Sequence, residues 1–335
     1  MSRRVRRFLA LIVTIGLSVL FLWLALGKLD WEAVGAELAK VRVPFLGVSL
    51  LASMAGFACV AARYRLLLRP LGVVSFGVAF RSVLVCFVGN ALLPFRIGEL
   101  LRVDYVARHA KLPHSSCLAA AGADRVFDLL MLAVLGIITV PIAMMDMADA
   151  PDALLLAVLG LGLTAALGVL VLMARFPEPC VAVSRRIGGL FGERAGAVIA
   201  AKVSLFTEGL SALRSWSAIF AALGLAGAYW LCILVAVQAW LWSLGVDTVW
   251  YAPAVVQVAL AFGALIPAAP SSVGTFHFFA KWALTQLGVA EAVAGSFAVV
   301  GHLMAHIAPA LLGLLLLSGQ LRSEFRRARD LETQD

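Results

Sequence analysis

Charged and polar side chains interrupt apolar sequence at a few places in this chain, and a charge in such surroundings is costly unless it is paired or functional. The densest run is Asn90-Ala-Leu-Leu-Pro94-Phe-Arg96-Ile-Gly98-Glu99-Leu-Leu-Arg102. Pro94 cannot continue a helix interior, and Gly98 permits close backbone approach. Asn90 can satisfy backbone groups freed at such a break. Arg96, Glu99 and Arg102 stand three apart, so they share one helical face. Guanidinium forks on that face suit the oxygens of a phosphate. The plainer reading of the same run is a cytoplasmic loop with a solvated ion pair.

The second cluster is Asp124-Arg125-Val-Phe-Asp128. On a helix Asp124, Arg125 and Asp128 form one stripe. They can pair among themselves and fix helix packing, or leave a carboxylate for Arg96 or Arg102. Carboxylates there could also titrate or hold a coupling cation. The third cluster runs from Pro267 through Pro270, Ser271, Ser272 and Gly274 to Thr275 and His277. It offers hydroxyls and free N–H groups at a helix start, where anions are favoured. Lys281, one turn beyond His277, adds a positive charge. A simple surface turn is the alternative. His302 and His306 are a turn apart, but no third ligand is evident, so they read as core histidines and no metal site is expected. The scattered cysteines Cys59, Cys86, Cys117, Cys180 and Cys232 read as core fillers. No nucleophile–base pair, phosphate-binding glycine loop or zinc spacing stands in a persuasive context. The expectation is therefore of no cofactor and no enzyme, though an intramembrane lipid transferase stays open.

These clusters need elements to hold them. Of the 335 residues, 63% are hydrophobic and only 14% charged. Soluble domains carry about 25% charged residues, so composition points to an all-α polytopic membrane protein. Nucleic acid is not an expected partner, and the net charge of +8 fits cytoplasmic loops and anionic lipid heads. Uncharged runs place full spans over 8–27, 44–62, 153–174, part of 215–246 and part of 292–321, with one more from near Cys117 to near Pro141. About six full spans result. The first span, after MSRRVRR, reads as retained, with its N-terminus in the cytoplasm.

Arg63, Arg65 and Arg69, the cluster from Arg175 to Arg214, and the tail Arg322–Arg329 then fall on the cytoplasmic side. Asp146, Asp149, Asp152, Asp247 and Glu291 fall outside. This pattern holds only if two apolar stretches, 73–108 and 250–288, return to the side they came from. Both read as broken re-entrant helical hairpins, interrupted at 90–94 and 267–274; two full crossings each would keep the same parity. Segments 44–141 and 216–318 become candidate inverted-topology repeats within one transmembrane domain over 1–335. Eight ordinary helices without a repeat is the alternative. Residues 177–214 read as amphipathic cytoplasmic helices, and 31–41 as a helix on the outer surface.

At these clusters the chain resembles the transmembrane-region family of lysylphosphatidylglycerol synthases, the flippase-like membrane proteins. Asn90, Pro94, Arg96, Gly98, Glu99 and Arg102 meet a pattern N-x-x-x-P-x-R-x-G-E-x-x-R. Asp124, Arg125 and Asp128 resemble E-R-x-x-D, with Asp in place of Glu. Pro270, Ser271, Ser272 and Gly274 resemble P-G-G-x-G-x-x-E, with His277 where the acid usually stands. The resemblance implies movement of lipids between leaflets of the cell (inner) membrane. Anionic phospholipid, aminoacylated phospholipid, hopanoid or polyprenyl-linked sugar are the candidate partners. The resemblance is to the membrane part of the larger synthases, so this chain is not expected to make lysylphosphatidylglycerol by itself. The head-group site would comprise Asn90, Arg96, Glu99, Arg102, Asp124, Arg125, Asp128, Ser271, Ser272 and Lys281. Pro94, Gly98, Pro267, Pro270 and Gly274 would form its helix breaks. The competing expectation is an accessory or scaffold protein that docks an envelope-lipid biosynthetic enzyme on the basic 177–214 surface. A second copy of the chain is a further candidate partner.

The charge asymmetry makes a direct prediction. In a cysteine-free background, an impermeant thiol reagent applied to intact cells labels a cysteine at Ala148 and spares one at Ser184. Equal labelling of the two would sink the orientation.

Overall fold

The computed structural model describes residues 3–27, 29–93, 97–146, 168–169, 171–190, 192–264, 266 and 269–319. All regular structure among them is helical. In chain order the elements are α1 (Arg3–Leu26), α2 (Trp31–Ala39), α3 (Val43–Leu68), α4 (Phe76–Leu92), α5 (Gly98–Ala110) and α6 (His114–Asp146). Further along come α7 (Pro177–Gly189), α8 (Glu193–Gly209), α9 (Trp216–Ser243), α10 (Ala252–Gly263), α11 (Thr275–Gln286) and α12 (Glu291–Gly319). Helices α3, α9 and α12 are long and apolar enough to cross a membrane. Most of the span expected over 153–174 lies outside the described residues, as do Asp149, Asp152 and the tail Arg322–Arg329.

Local chemistry sets the helix starts. Asp30 caps α2 by accepting from the backbone N–H groups of Glu32 and Ala33, at 3.0 and 3.2 Å. Ser75 caps α4 through the Val78 N–H. Prolines stand in the first turns of α3, α7 and α10, where the missing N–H is harmless. Helix α2 packs along α12 rather than lying apart on a surface, with Val34 buried and its carbonyl accepting from Ser296 Oγ.

Both stretches read as broken are broken. Helix α4 stops at Leu92 and α5 begins at Gly98; Pro94 and Arg96 lie outside the described residues. Helix α10 stops at Gly263, and after a short turn at Pro270–Ser272 α11 begins at Thr275; Pro267 lies outside the description. The helices before and after each break pack on one another. A Cβ on Gly98 would strike the Cys86 carbonyl and lie 2.6 Å from Asn90 Oδ1. One on Gly89 would lie 2.8 Å from Gly98 Cα. Two glycines thus let α4 and α5 touch backbone to backbone.

The apolar interior divides in two. One core joins α3, α4, α5, α6 and the start of α9, around Phe57, Tyr64, Leu84 and Phe127. The other joins the end of α9 with α10, α11 and α12, around Trp240, Leu241, Leu284 and Phe297. Helices α3 and α9 lie side by side and run through both, bound by Trp240 Nε1 donating to Ser49 Oγ. Helices α7 and α8 form a separate hairpin that rests on α6 where Gly209 abuts Ser116. It exposes Val183, Ile187, Leu190 and Val198 beside Arg185 and Arg186.

Gly98→Ala forces α4 and α5 apart and is expected to cost about 1–3 kcal/mol, as overpacking does. Gly122→Ala, on α6 with nothing within 4 Å of the new methyl, is expected to hold or raise stability by about 0.5–1 kcal/mol. Thermal unfolding followed by size-exclusion fluorescence compares them. Equal midpoints would contradict the close contact.

Candidate functional site

Helix α3 does not stop where its uncharged run ends. Tyr64 and Leu66 to Leu68 carry the apolar pattern on, and the helix continues to Leu68. Arg63 is therefore no loop residue, as its charge suggested, but sits inside the helix with none of its side chain exposed. It donates from Nε to Asp124 Oδ1 at 2.5 Å and from Nη2 to Asp128 Oδ1 at 2.6 Å. The planar fork spans the two acids, which stand one turn apart on α6. A trace of this was in the sequence: Val60, Arg63 and Leu67 fall on one helical stripe, and a lone charge on a buried stripe needs a partner.

The remaining acid oxygens extend the pairing both ways. Asp124 Oδ2 accepts from Arg102 Nη1 at 2.9 Å, and Asp128 Oδ2 from Arg125 Nη1 at 3.1 Å. Arg125 Nη2 then meets Glu99 Oε1 at 2.8 Å. The result is an alternating ladder, Arg102–Asp124–Arg63–Asp128–Arg125–Glu99, across α3, α5 and α6. Three cations meet three anions. Arg102 also stacks on the Tyr64 ring at 4.0 Å, and Tyr64 Oη donates to the Cys117 carbonyl at 3.0 Å. The inner rungs are buried, while Arg125 and Glu99 retain 43% and 33% of their side-chain exposure.

That exposed end opens on a cavity of about 400 Å³ between the two cores. Asn90, Glu99, Arg102 and Arg125 line one side, and Pro270, Ser271 and Ser272 the other. Asn90 Oδ1 accepts from the Gly98 N–H at 2.9 Å and so caps α5 across the break. The two breaks are tied together: Ser271 Oγ donates to the Ala91 carbonyl at 3.2 Å. The Ala269 N–H donates to Ser18 Oγ of α1 at 2.6 Å. Ser271 and Ser272 both hold positive φ, 58° and 53°, a conformation that costs a non-glycine residue about 1–2 kcal/mol. Gly274, at φ 90°, lies against the Ser18 carbonyl with no room for a Cβ.

Most of the expected head-group set converges here. Asn90, Glu99, Arg102, Arg125, Ser271 and Ser272 line the cavity, while Asp124 and Asp128 stand behind it as ladder rungs. Lys281 does not join them: from the middle of α11 it pairs with Glu291, the first residue of α12, at 2.9 Å. Sequence reasoning also missed Tyr229 of α9 and His306 of α12, which line the cavity too. Tyr229 stood in a run read only as a span, and His306 read as core. A second cavity of about 310 Å³, mostly aromatic and aliphatic, adjoins the first. Phe87, Tyr229, Ser272 and His306 border both.

Two arginines that line the cavity keep hydrogen-bond donors the protein does not use. Arg102 Nε and Nη2 and Arg125 Nε are buried without a protein partner. A buried guanidinium N–H left so is costly. Among the described residues no group of His, Cys, Asp or Glu is arranged to hold a metal ion.

Comparison with known proteins agrees in kind. The sequence profile described as the lysylphosphatidylglycerol synthase TM region matches residues 9–313, nearly the whole chain. A protein of Haloferax volcanii named glycosyltransferase AglD is 26% identical over 332 residues, covering 89% of this chain and 52% of that protein. The chain thus spans about half the length of that relative.

The ladder predicts a rescue. Arg63→Met leaves three carboxylates with two cations and should cost about 3–5 kcal/mol, as breaking buried pairs does. Adding Asp128→Asn returns the cluster to two against two, as Arg102–Asp124 and Arg125–Glu99, and is expected to recover most of the loss. Thermal midpoints and monodisperse yield report it. A double variant no better than Arg63→Met alone would refute the ladder.

Proposed function

The chain belongs to the lysylphosphatidylglycerol synthase transmembrane-region family, and from that premise we propose that it moves a lipid bearing a phosphate head group between membrane leaflets. The observation that carries this reading is that Arg102 and Arg125 line the cavity side by side, and that both keep guanidinium N–H groups without a protein partner. A phosphate oxygen fits such donors, and arginine's fork binds two at once. The adjoining apolar cavity gives a chain a place beside the head. The role is binding and passage, with no bond made or broken. Anionic phospholipid and polyprenyl-linked lipid both present the phosphate; a hopanoid would need a charged head to use it.

The proposed frame is a single transmembrane domain of the cell (inner) membrane with both termini cytoplasmic. In it α4–α5 and α10–α11 are re-entrant hairpins of opposite topology, flanked by α3 and α6 and by α9 and α12. The two cores, each holding one broken pair, and the tie between the breaks support that inverted repeat. The second reading is an accessory role in envelope-lipid synthesis, with an enzyme or a second copy docked on the α7–α8 hairpin. It is favoured by the longer relative's glycosyltransferase name and by that hairpin's exposed basic face.

Leaflet exchange of labelled lipids in reconstituted liposomes separates the readings. Arg125→Lys keeps the charge and loses the fork, and is expected to slow exchange about tenfold, the worth of one charge-assisted hydrogen bond. Arg125→Ala is expected to do worse. Wild-type rates in both folded variants would reject the site, and no exchange by the wild type would favour the accessory role.

A further inference from the structure

The wall between the two cavities carries a histidine cluster that the head-group reading does not use. His306 borders both cavities. Its ring lies 5.1 Å from that of His302, and His302 lies 4.6 Å from His277 of α11. Phe276 stands edge-on to His302 and His306, 5.5 and 5.3 Å away. Residues Leu303–Ile307 form a π-helical turn, a local widening that gathers at functional sites. His302 and His277 are more than nine-tenths buried.

The hydrogen bonds fix where a proton can go. His302 Nε2 lies 3.0 Å from the Ser271 carbonyl. A carbonyl only accepts, so Nε2 carries hydrogen and Nδ1 is the basic atom of the neutral ring. His277 Nδ1 is buried with no partner. The row therefore runs from the cavity wall to a closed end, which suits holding a proton rather than conducting one.

We propose that His306, His302 and His277 form a proton-binding site coupled to the anion in the cavity, a proposal that rests on the head-group reading. Three imidazoles this close cannot all be charged, so they share one added proton. The ladder is neutral, and one imidazolium makes the cavity wall positive. Anion and proton then favour each other's binding by the same factor. The cluster also touches the break itself, through Ser271.

Other ionisable groups around the cluster are accounted for. Residues 15–26 of α1 and all of α10 have none. On α11, Lys281 pairs with Glu291 at the start of α12. Helices α3, α4 and α9 bring Cys59, Arg63, Tyr64, Cys86, Tyr229 and Cys232 to this region, none of them a carboxylate or an imidazole. Across the cavity, Glu99, Arg102 and Arg125 belong to the ladder.

The test uses the full chain in detergent and short-chain phosphatidylglycerol, whose phosphodiester keeps one charge across the imidazole range. Near pH 6.5, lightly buffered with an indicator dye, lipid binding is expected to take up about half a proton per lipid. Affinity is expected to be about tenfold tighter at about pH 5.5 than at about pH 8. His306→Gln and His277→Gln, checked for monodisperse elution, are each expected to reduce the uptake, and His114→Gln, on the distant α5–α6 surface, to keep it. Binding without proton uptake by the wild type overturns the proposal and needs no variant. Uptake unchanged in both His306→Gln and His277→Gln overturns it as well. Absence of lipid binding at either pH overturns the head-group reading first, and the coupling with it.

Discussion

Arg63 between Asp124 and Asp128 is the contact on which the rest of the site depends. A guanidinium at depth in a bilayer costs about 2.5–3.5 kcal/mol on insertion scales, and an unpaired carboxylate is costly too. Each is tolerable only because the other is within 2.6 Å. The pairing also dictates geometry. Asp124 and Asp128 must stand a turn apart on α6 to meet one planar fork. Helix α3 must continue past its uncharged run to deliver the fork. With their inner oxygens taken, the outer oxygens of the two acids fix Arg102 and Arg125. A neutral ladder thus positions two arginines beside a cavity, and on the proposed reading they are the groups that meet the head group.

The backbone breaks are the second constraint, and they depend on small groups. Gly89 and Gly98 bring α4 against α5, which carries Glu99 and Arg102 to the ladder. Gly274 lets the opposite break press on α1. The resembled family pattern has glycines where Ser271 and Ser272 stand, and the left-handed φ of both positions shows why. Here serines accept the strain. Ser271 uses its hydroxyl to bridge to the Ala91 carbonyl and its own carbonyl to hold His302. Strain kept at a cavity wall and offset by such bonds is common at functional sites.

The sequence made much of this legible because membranes penalise polar groups so heavily. Asn90, Glu99, Arg102, Arg125, Ser271 and Ser272 were each picked out as polar residues in apolar runs, and all line one cavity. Proline and glycine marked both breaks. Charge alone misled at two positions. Arg63 looked like the first loop residue because a one-dimensional count sees an arginine after an apolar run, whereas its helical stripe with Val60 and Leu67 is what buries it. Lys281 looked like a cavity cation because i,i+4 spacing from His277 fixes a face but not a height. One helical turn carries it about 5.4 Å along the axis, far enough to meet Glu291 instead. Tyr229 and His306 could not be placed, since nothing local says which of α9's and α12's many turns reaches the gap between the cores.

On the proposed reading, the ladder's neutrality bears on release as much as on capture. A cavity with three unopposed arginines would bind a phosphate too tightly to let it go, and a carrier needs an affinity it can lose. Glu99 provides a competitor. It sits on Arg125 at 2.8 Å, at the exposed end of the ladder, where an arriving phosphate would seek the same donors. Arg125 keeps its bond to Asp128 during such an exchange, so only the outermost rung must change partner. The buried rungs stay fixed, and the energy at stake is that of one half-exposed pair, typically about 1 kcal/mol or less at a surface and more as water is excluded. A swap on that scale lets a head group enter, displace one carboxylate and leave again without disturbing the core that holds Arg102 and Arg63 in place.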